Sequence, residues 1–144
     1  ALTTPAKSSN FAAMAVHDPP VDFETLVKEE MIYQGFPPFL FYPTSHYSRV
    51  FKGVNITEVV PATALPMGNK QPILIFNGML DGRVLAHHTD DLIKIANDNG
   101  IDVEAYRYDD MRHVQSIWVY TDEFSKAIVS FFQRNLSKIC SKFI

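Results

Sequence analysis

The second half of this chain alternates strand-like and helix-like segments, and that alternation limits its fold more than any other feature. Pro72-Ile73-Leu74-Ile75-Phe76-Asn77-Gly78 is a continuous apolar run, the pattern of a strand covered on both faces. A loop over 79–85 leads into a helical stretch over 86–99, which Gly100 stops. Residues 102–108 alternate in part as another strand, and 109–113 form a polar loop. Phe124, Ile128, Phe131, Phe132 and Leu136 then recur at helical spacing in a last helix over 121–137. Strand, helix, strand, helix implies crossovers onto a mostly parallel sheet, so the fold class is α/β.

The first half is less regular. Phe11 to Val16 is a short apolar run ended by His17-Asp18-Pro19-Pro20, which reads as a brief buried strand, although its alanines also suit a helix. Asp22 is an N-cap candidate for a helix over 23–34 with Gly35 just past its end. Its apolar stripe comprises Phe23, Leu26, Val27 and Met31, with Glu30 among them. The stretch 35–43 is aromatic and carries three prolines. That excludes a central strand or a long helix and suggests a cap or covering loop. A short helix is expected over 45–51 and an irregular connector over 55–68.

Composition narrows the classes further. Of 144 residues, 47% are hydrophobic and 20% charged, which excludes disorder and fibrous architectures. The net charge of −3 provides no electrostatic footprint for nucleic acid. A single cysteine, Cys140, allows neither an internal disulfide nor a Cys-rich zinc site. It leaves the compartment open, with a reduced cytosol as the default. No uninterrupted apolar run reaches the roughly 18 residues of a transmembrane helix. Residues 1–7 have no initiator Met, basic n-region or signal-like core, so a processed chain or a piece of a longer one is expected.

In open α/β sheets, chemistry gathers beyond the carboxyl ends of strands. Asp81 follows one such end and His113 the other, 32 residues later. Neighbouring parallel strands lie about 4.8 Å apart, so the two loops can bring these side chains into hydrogen-bond reach. A carboxylate that accepts the imidazole N–H is the orienting half of a nucleophile–His–acid relay. An acidic loop cap beside an unrelated surface histidine fits the spacing as well.

The residues 72–84, ending Asn77-Gly78-Met79-Leu80-Asp81-Gly82-Arg83-Val84, resemble the strand-plus-acid segment of α/β-hydrolase fold serine hydrolases. Tyr108 to His113 resembles that family's terminal His loop, and 121–136 its closing helix. Asp22-Phe23 through Gly35-Phe36-Pro37-Pro38-Phe39 is similar to the segment after the sixth strand in the esterase and peptidase-like branch. The resemblance implies that Asp81 is the triad acid and His113 the general base. It implies one partial hydrolase domain over 1–144, with a cap-like connector over 22–68 and the acid and base carried by 72–137. Departures accompany it: Asn77 stands where His is usual, Val114 where Gly often follows the base, and His17 and Pro20 replace the usual loop residues. No Gly-x-Ser-x-Gly elbow occurs in these residues. Ala1-Leu2-Thr3-Thr4 resembles the helix after that elbow, so the chain is expected to start just past its own nucleophile and to be inactive alone.

Other candidates are weaker. Ser45, Ser48 and Ser116 lie near histidines, but none sits on a Gly-flanked strand-to-helix turn. His87-His88 with Asp90-Asp91 offer metal-ligand types, yet adjacent helical residues point about 100° apart, which favours a plain helix start. The 36–42 aromatics suit either an acyl pocket or cap packing, Glu29-Glu30 a solvated helix edge, and Cys140 an incidental thiol. Asn55 and Asn135 head glycosylation sequons. No cofactor and no metal are expected. Expected partners are a small ester, amide or thioester substrate once the upstream part is supplied, and an oligomer or complementing chain at an open sheet edge. The rival function is a non-catalytic, hydrolase-like module that oligomerises or binds a protein or apolar ligand.

Overall fold

The computed structural model describes residues 11–140, with side chains through 137 in the last helix. The resemblance of Ala1-Leu2-Thr3-Thr4 to a post-elbow helix and the Cys140 thiol lie outside what is described. Three strands, β1 (Met14–His17), β2 (Ile73–Gly78) and β3 (Val103–Tyr108), form a parallel sheet in the order β1-β2-β3 among the described residues. Every residue of β2 is buried, as its unbroken apolar run requires of a strand paired and covered on both sides. β1 is only half-buried, being an edge strand among the described residues. It also begins three residues later than the apolar run at Phe11.

The alternation of β2 divides the core in two. Ile73 and Ile75 pack with Leu92 and Ala96 of α4 (Ala86–Asp98) on one face. Leu74 and Phe76 pack with Ala127 and Phe131 of α6 (Thr121–Cys140) on the other. Helix, sheet, helix is therefore the layering, with the apolar helical stripes supplying the outer layers.

The segment between β1 and β2 carries α1 (Phe23–Tyr33), a 3-10 turn (Pro38–Leu40), α2 (Phe41–Lys52), a second 3-10 turn (Ile56–Glu58) and α3 (Pro61–Ala64). Asp22 caps α1: its Oδ1 accepts the Thr25 N–H at 2.7 Å. Gly35, at φ 81°, ends the turn beyond it. α2 starts four residues earlier than the expected 45–51 helix. Pro43 lies in its first turn, where a missing N–H leaves no intrahelical bond unmade. A short helix, α5 (Ser116–Val119), follows the His loop and was not legible in the sequence.

Candidate active site

Parallel pairing in register brings all three strand ends to one edge of the sheet. His17 stands beside Phe76, and Gly78 beside Tyr108. Asp18, Asp81 and His113 follow those three ends. The loop after β2 is tied to the loop after β3 by the Met79 N–H on Tyr108 O and the Leu80 N–H on Met111 O, both 2.9 Å. Gly78 makes that approach possible: a Cβ there would meet Met111 O at 2.6 Å and Arg112 O at 2.8 Å.

Asp81 and His113 meet. Asp81 Oδ2 lies 2.7 Å from His113 Nδ1. Its Oδ1 accepts the backbone N–H groups of Arg83 at 2.8 Å and Val84 at 3.1 Å. With its second oxygen thus held, the fully buried carboxylate presents the first to the imidazole and favours the Nδ1–H tautomer. The His113 side chain is 36% exposed and lines a cavity of about 480 Å³. That cavity lies between the strand ends and α1, whose Phe23, Leu26, Val27 and Met31 give it an apolar wall. Glu30 and Arg83 add charge to its lining and pair at 3.4 Å. Hydrogen bonding from Gln34, with Arg83 assisting, lowers the Glu30 pKa. Of the 36–42 aromatics only Phe36 lines the cavity; Phe39 and Tyr42 are exposed and Phe41 is buried.

Sequence reasoning passed over Asp18. The strand-end rule that picks out Asp81 and His113 applies equally to the residue after β1. Asp18 Oδ1 accepts from Asn77 Nδ2 at 3.1 Å and Gly78 N at 3.0 Å, and Oδ2 from Val114 N at 2.8 Å. Asn77, the departure from the usual His, is thus the partner of this carboxylate. Val114 takes a left-handed φ of 58°, which a β-branched residue adopts only when its surroundings compel it.

The remaining candidates resolve differently. Ser116 is fully buried and its Oγ lies 2.9 Å from His17 Nε2. Asp18 Oδ2 faces that same nitrogen at 3.5 Å, while His17 Nδ1 has no partner among the described residues. A relay needs the acid on the far nitrogen, so this trio cannot act as one. Burial lowers the His17 pKa, with the Asp18 charge opposing. Ser45 and Ser48 lie within α2. Asn135 is buried, its amide donating to Phe131 O, whereas Asn55 bonds Glu58 at the surface.

His87 and His88 do not diverge as helical neighbours would. Their rings stack with centroids 4.3 Å apart, and both reach Glu29 of α1, at 3.3 and 2.8 Å. Three such ligand types in reach of one another would suit a divalent cation. However, His88 Nδ1 accepts the Val21 N–H at 3.2 Å, so Nε2 bears the proton and donates it to Glu29. A metal on Nε2 would have to displace that proton and the Val21 bond. The group is a clamp between α1 and α4. Asp90 pairs with Arg107.

The fold recurs in solved structures. An esterase from Pyrococcus furiosus superimposes with a TM-score of 0.65 at 18% identity, over 94% of this chain and 49% of that one. An acylaminoacyl peptidase from Pyrococcus horikoshii gives a TM-score of 0.67 at 16% identity, over 93% of this chain and 22% of its own. The chain thus spans about half the length of the esterase and about a fifth of the peptidase. No curated protein sequence matches it. Among the described residues no helix is long and apolar enough to cross a membrane. Residues 1–138 match the prolyl oligopeptidase family, and to that family of α/β-hydrolase-fold serine hydrolases this chain belongs.

Proposed function

We propose that residues 1–144 are the acid- and base-bearing part of a serine hydrolase that cleaves an ester, amide or thioester through an acyl-enzyme. The observation that carries this reading is the 2.7 Å contact between Asp81 and His113 Nδ1 at the mouth of an apolar cavity. In the reaction, His113 Nε2 takes the proton of a serine hydroxyl as that oxygen attacks the substrate carbonyl. It then returns the proton to the leaving group, while Asp81 holds the imidazole and stabilises its cation. The serine and the oxyanion donors come from outside these residues, so the chain alone is inactive. A cavity of this size and lining suits an apolar acyl or side-chain group. One structural neighbour, an acylaminoacyl peptidase, was captured with a peptide chloromethyl ketone, which supports peptides among the substrates.

A second reading, a non-catalytic module that binds a protein or apolar ligand, draws on the exposed Tyr33, Phe36, Phe39, Tyr42 and Phe51. One experiment separates the two: the intact mass of the native protein, before and after treatment with a fluorophosphonate serine probe. A mass well above 16.3 kDa with labelling abolished by His113→Ala supports the hydrolase. A mass of 16.3 kDa without labelling overturns it in favour of the binding module.

A further inference from the structure

Asp18 is a buried acid whose carboxylate has no solvent exposure, and the acid–base pair as described makes no use of it. Such a group is costly to bury unless donors satisfy it. Asp18 has three N–H donors, two at the end of β2 and one in the His loop. Oδ1 holds Asn77 and Gly78 at the end of β2. Oδ2 holds the Val114 N–H, directly after His113. The backbone supports the placement: the Asp18 N–H bonds Phe76 O at 2.8 Å, and its own φ of 42° is left-handed, a conformation Asp tolerates. One carboxylate therefore fastens the ends of β1 and β2 to the loop that presents the imidazole.

The same oxygen that holds Val114 lies 3.7 Å from His113 Nδ1. Asp81 Oδ2 lies 2.7 Å from that nitrogen. The imidazole N–H thus has two carboxylates on its side, one bonded and one in waiting. A ring movement of about 1 Å would bring the second to hydrogen-bond distance.

We propose that Asp18 is a positioning residue for His113: it fixes the His loop through Val114 and accepts the imidazole Nδ1–H when Asp81 is absent. The proposal rests on the reading of Asp81 and His113 as acid and base, and adds to it a reserve acceptor. Asn at position 18 tests it without changing shape. The Asn side chain keeps one acceptor oxygen, but turns its NH2 either on the Val114 amide or on the Asn77 and Gly78 amides, so one set of bonds is lost.

The test uses the intact native protein with isotope-labelled histidine, reading the His113 tautomer and its low-field hydrogen-bonded proton by NMR. Wild type must show the Nδ1–H tautomer; if it does not, the acid–base reading itself fails. Given that signal, Asp81→Ala is expected to retain the Nδ1–H tautomer through Asp18, and Asp81→Ala/Asp18→Asn to lose it. Fluorophosphonate labelling should follow: loss of a triad acid costs about 10⁴-fold when nothing replaces it. The single Asp81→Ala variant should label at least tenfold faster than the double. An Asp81→Ala protein whose histidine signals and labelling rate already equal those of the double variant overturns the proposal. Asp18→Asn alone, with Asp81 present, serves as the folding control. It should keep a native dispersed spectrum and the Nδ1–H tautomer while labelling more slowly than wild type. Unchanged labelling in that variant would also overturn the positioning role.

Discussion

Replacing Gly78 by alanine tests whether the two loops are held at the distance the chemistry needs. The added Cβ would sit 2.6 Å from Met111 O and 2.8 Å from Arg112 O. Ordinary contact lies near 3.4 Å or beyond, so the His loop must retreat by about 0.8 Å. Both oxygens are backbone, one and two residues before His113, so no side-chain rotation relieves the clash. Retreat also stretches the Leu80 N–H bond to Met111 O. Overpacking of this kind costs about 1–3 kcal/mol, offset by roughly 0.4–1 kcal/mol from a stiffer unfolded chain. The net cost, up to about 2.6 kcal/mol, should lower the midpoint of thermal unfolding by as much as about 10 °C for a domain of this size. Misplacement of a catalytic group by about 1 Å is worth about 10²-fold in rate, so fluorophosphonate labelling of the native protein should slow by about 10- to 100-fold. A Gly78→Ala protein that melts and labels like wild type would refute the close-approach argument.

Three further outcomes are expected. Burial lowers the His17 pKa below 6.5, so the unfolded chain binds more protons than the folded one. Stability should therefore decline as pH falls from 6.5 towards the folded value, and urea titrations of His17→Asn should lack that component. Asp22→Ala removes the side-chain acceptor of the Thr25 N–H and should cost about 1 kcal/mol; an unchanged urea midpoint would contradict the cap. Val114→Gly relieves the left-handed φ of 58°, worth about 1–2 kcal/mol, against about 0.5–1 kcal/mol of added unfolded-state freedom. Its melting temperature should match or exceed that of wild type, and a clear fall would show that the valine side chain supplies packing that outweighs the strain.

Strand β2 and helices α4 and α6 were legible because burial on both faces and one-sided helical packing write periodic patterns into the sequence. Asp81 and His113 were legible as a spacing across one strand–helix–strand unit, and the family resemblance gave that spacing a role. The start of α2 was not, because Pro43 reads as a helix breaker unless its place in the first turn is known. Asp18 was missed for a related reason: a residue beside two prolines looks like loop, and only the sheet register shows that it faces the other two strand ends. The convergence of His87 and His88 on Glu29 depends on where α1 crosses α4, which no local pattern encodes.

In the proposed function, His113, oriented by Asp81, is the base of an acyl transfer. The most direct test is hydrolysis of an aryl ester with an apolar acyl group by the native protein, compared with its His113→Ala variant. The variant's kcat/KM should be lower by about 10³-fold or more. Equal turnover by the two proteins would contradict it.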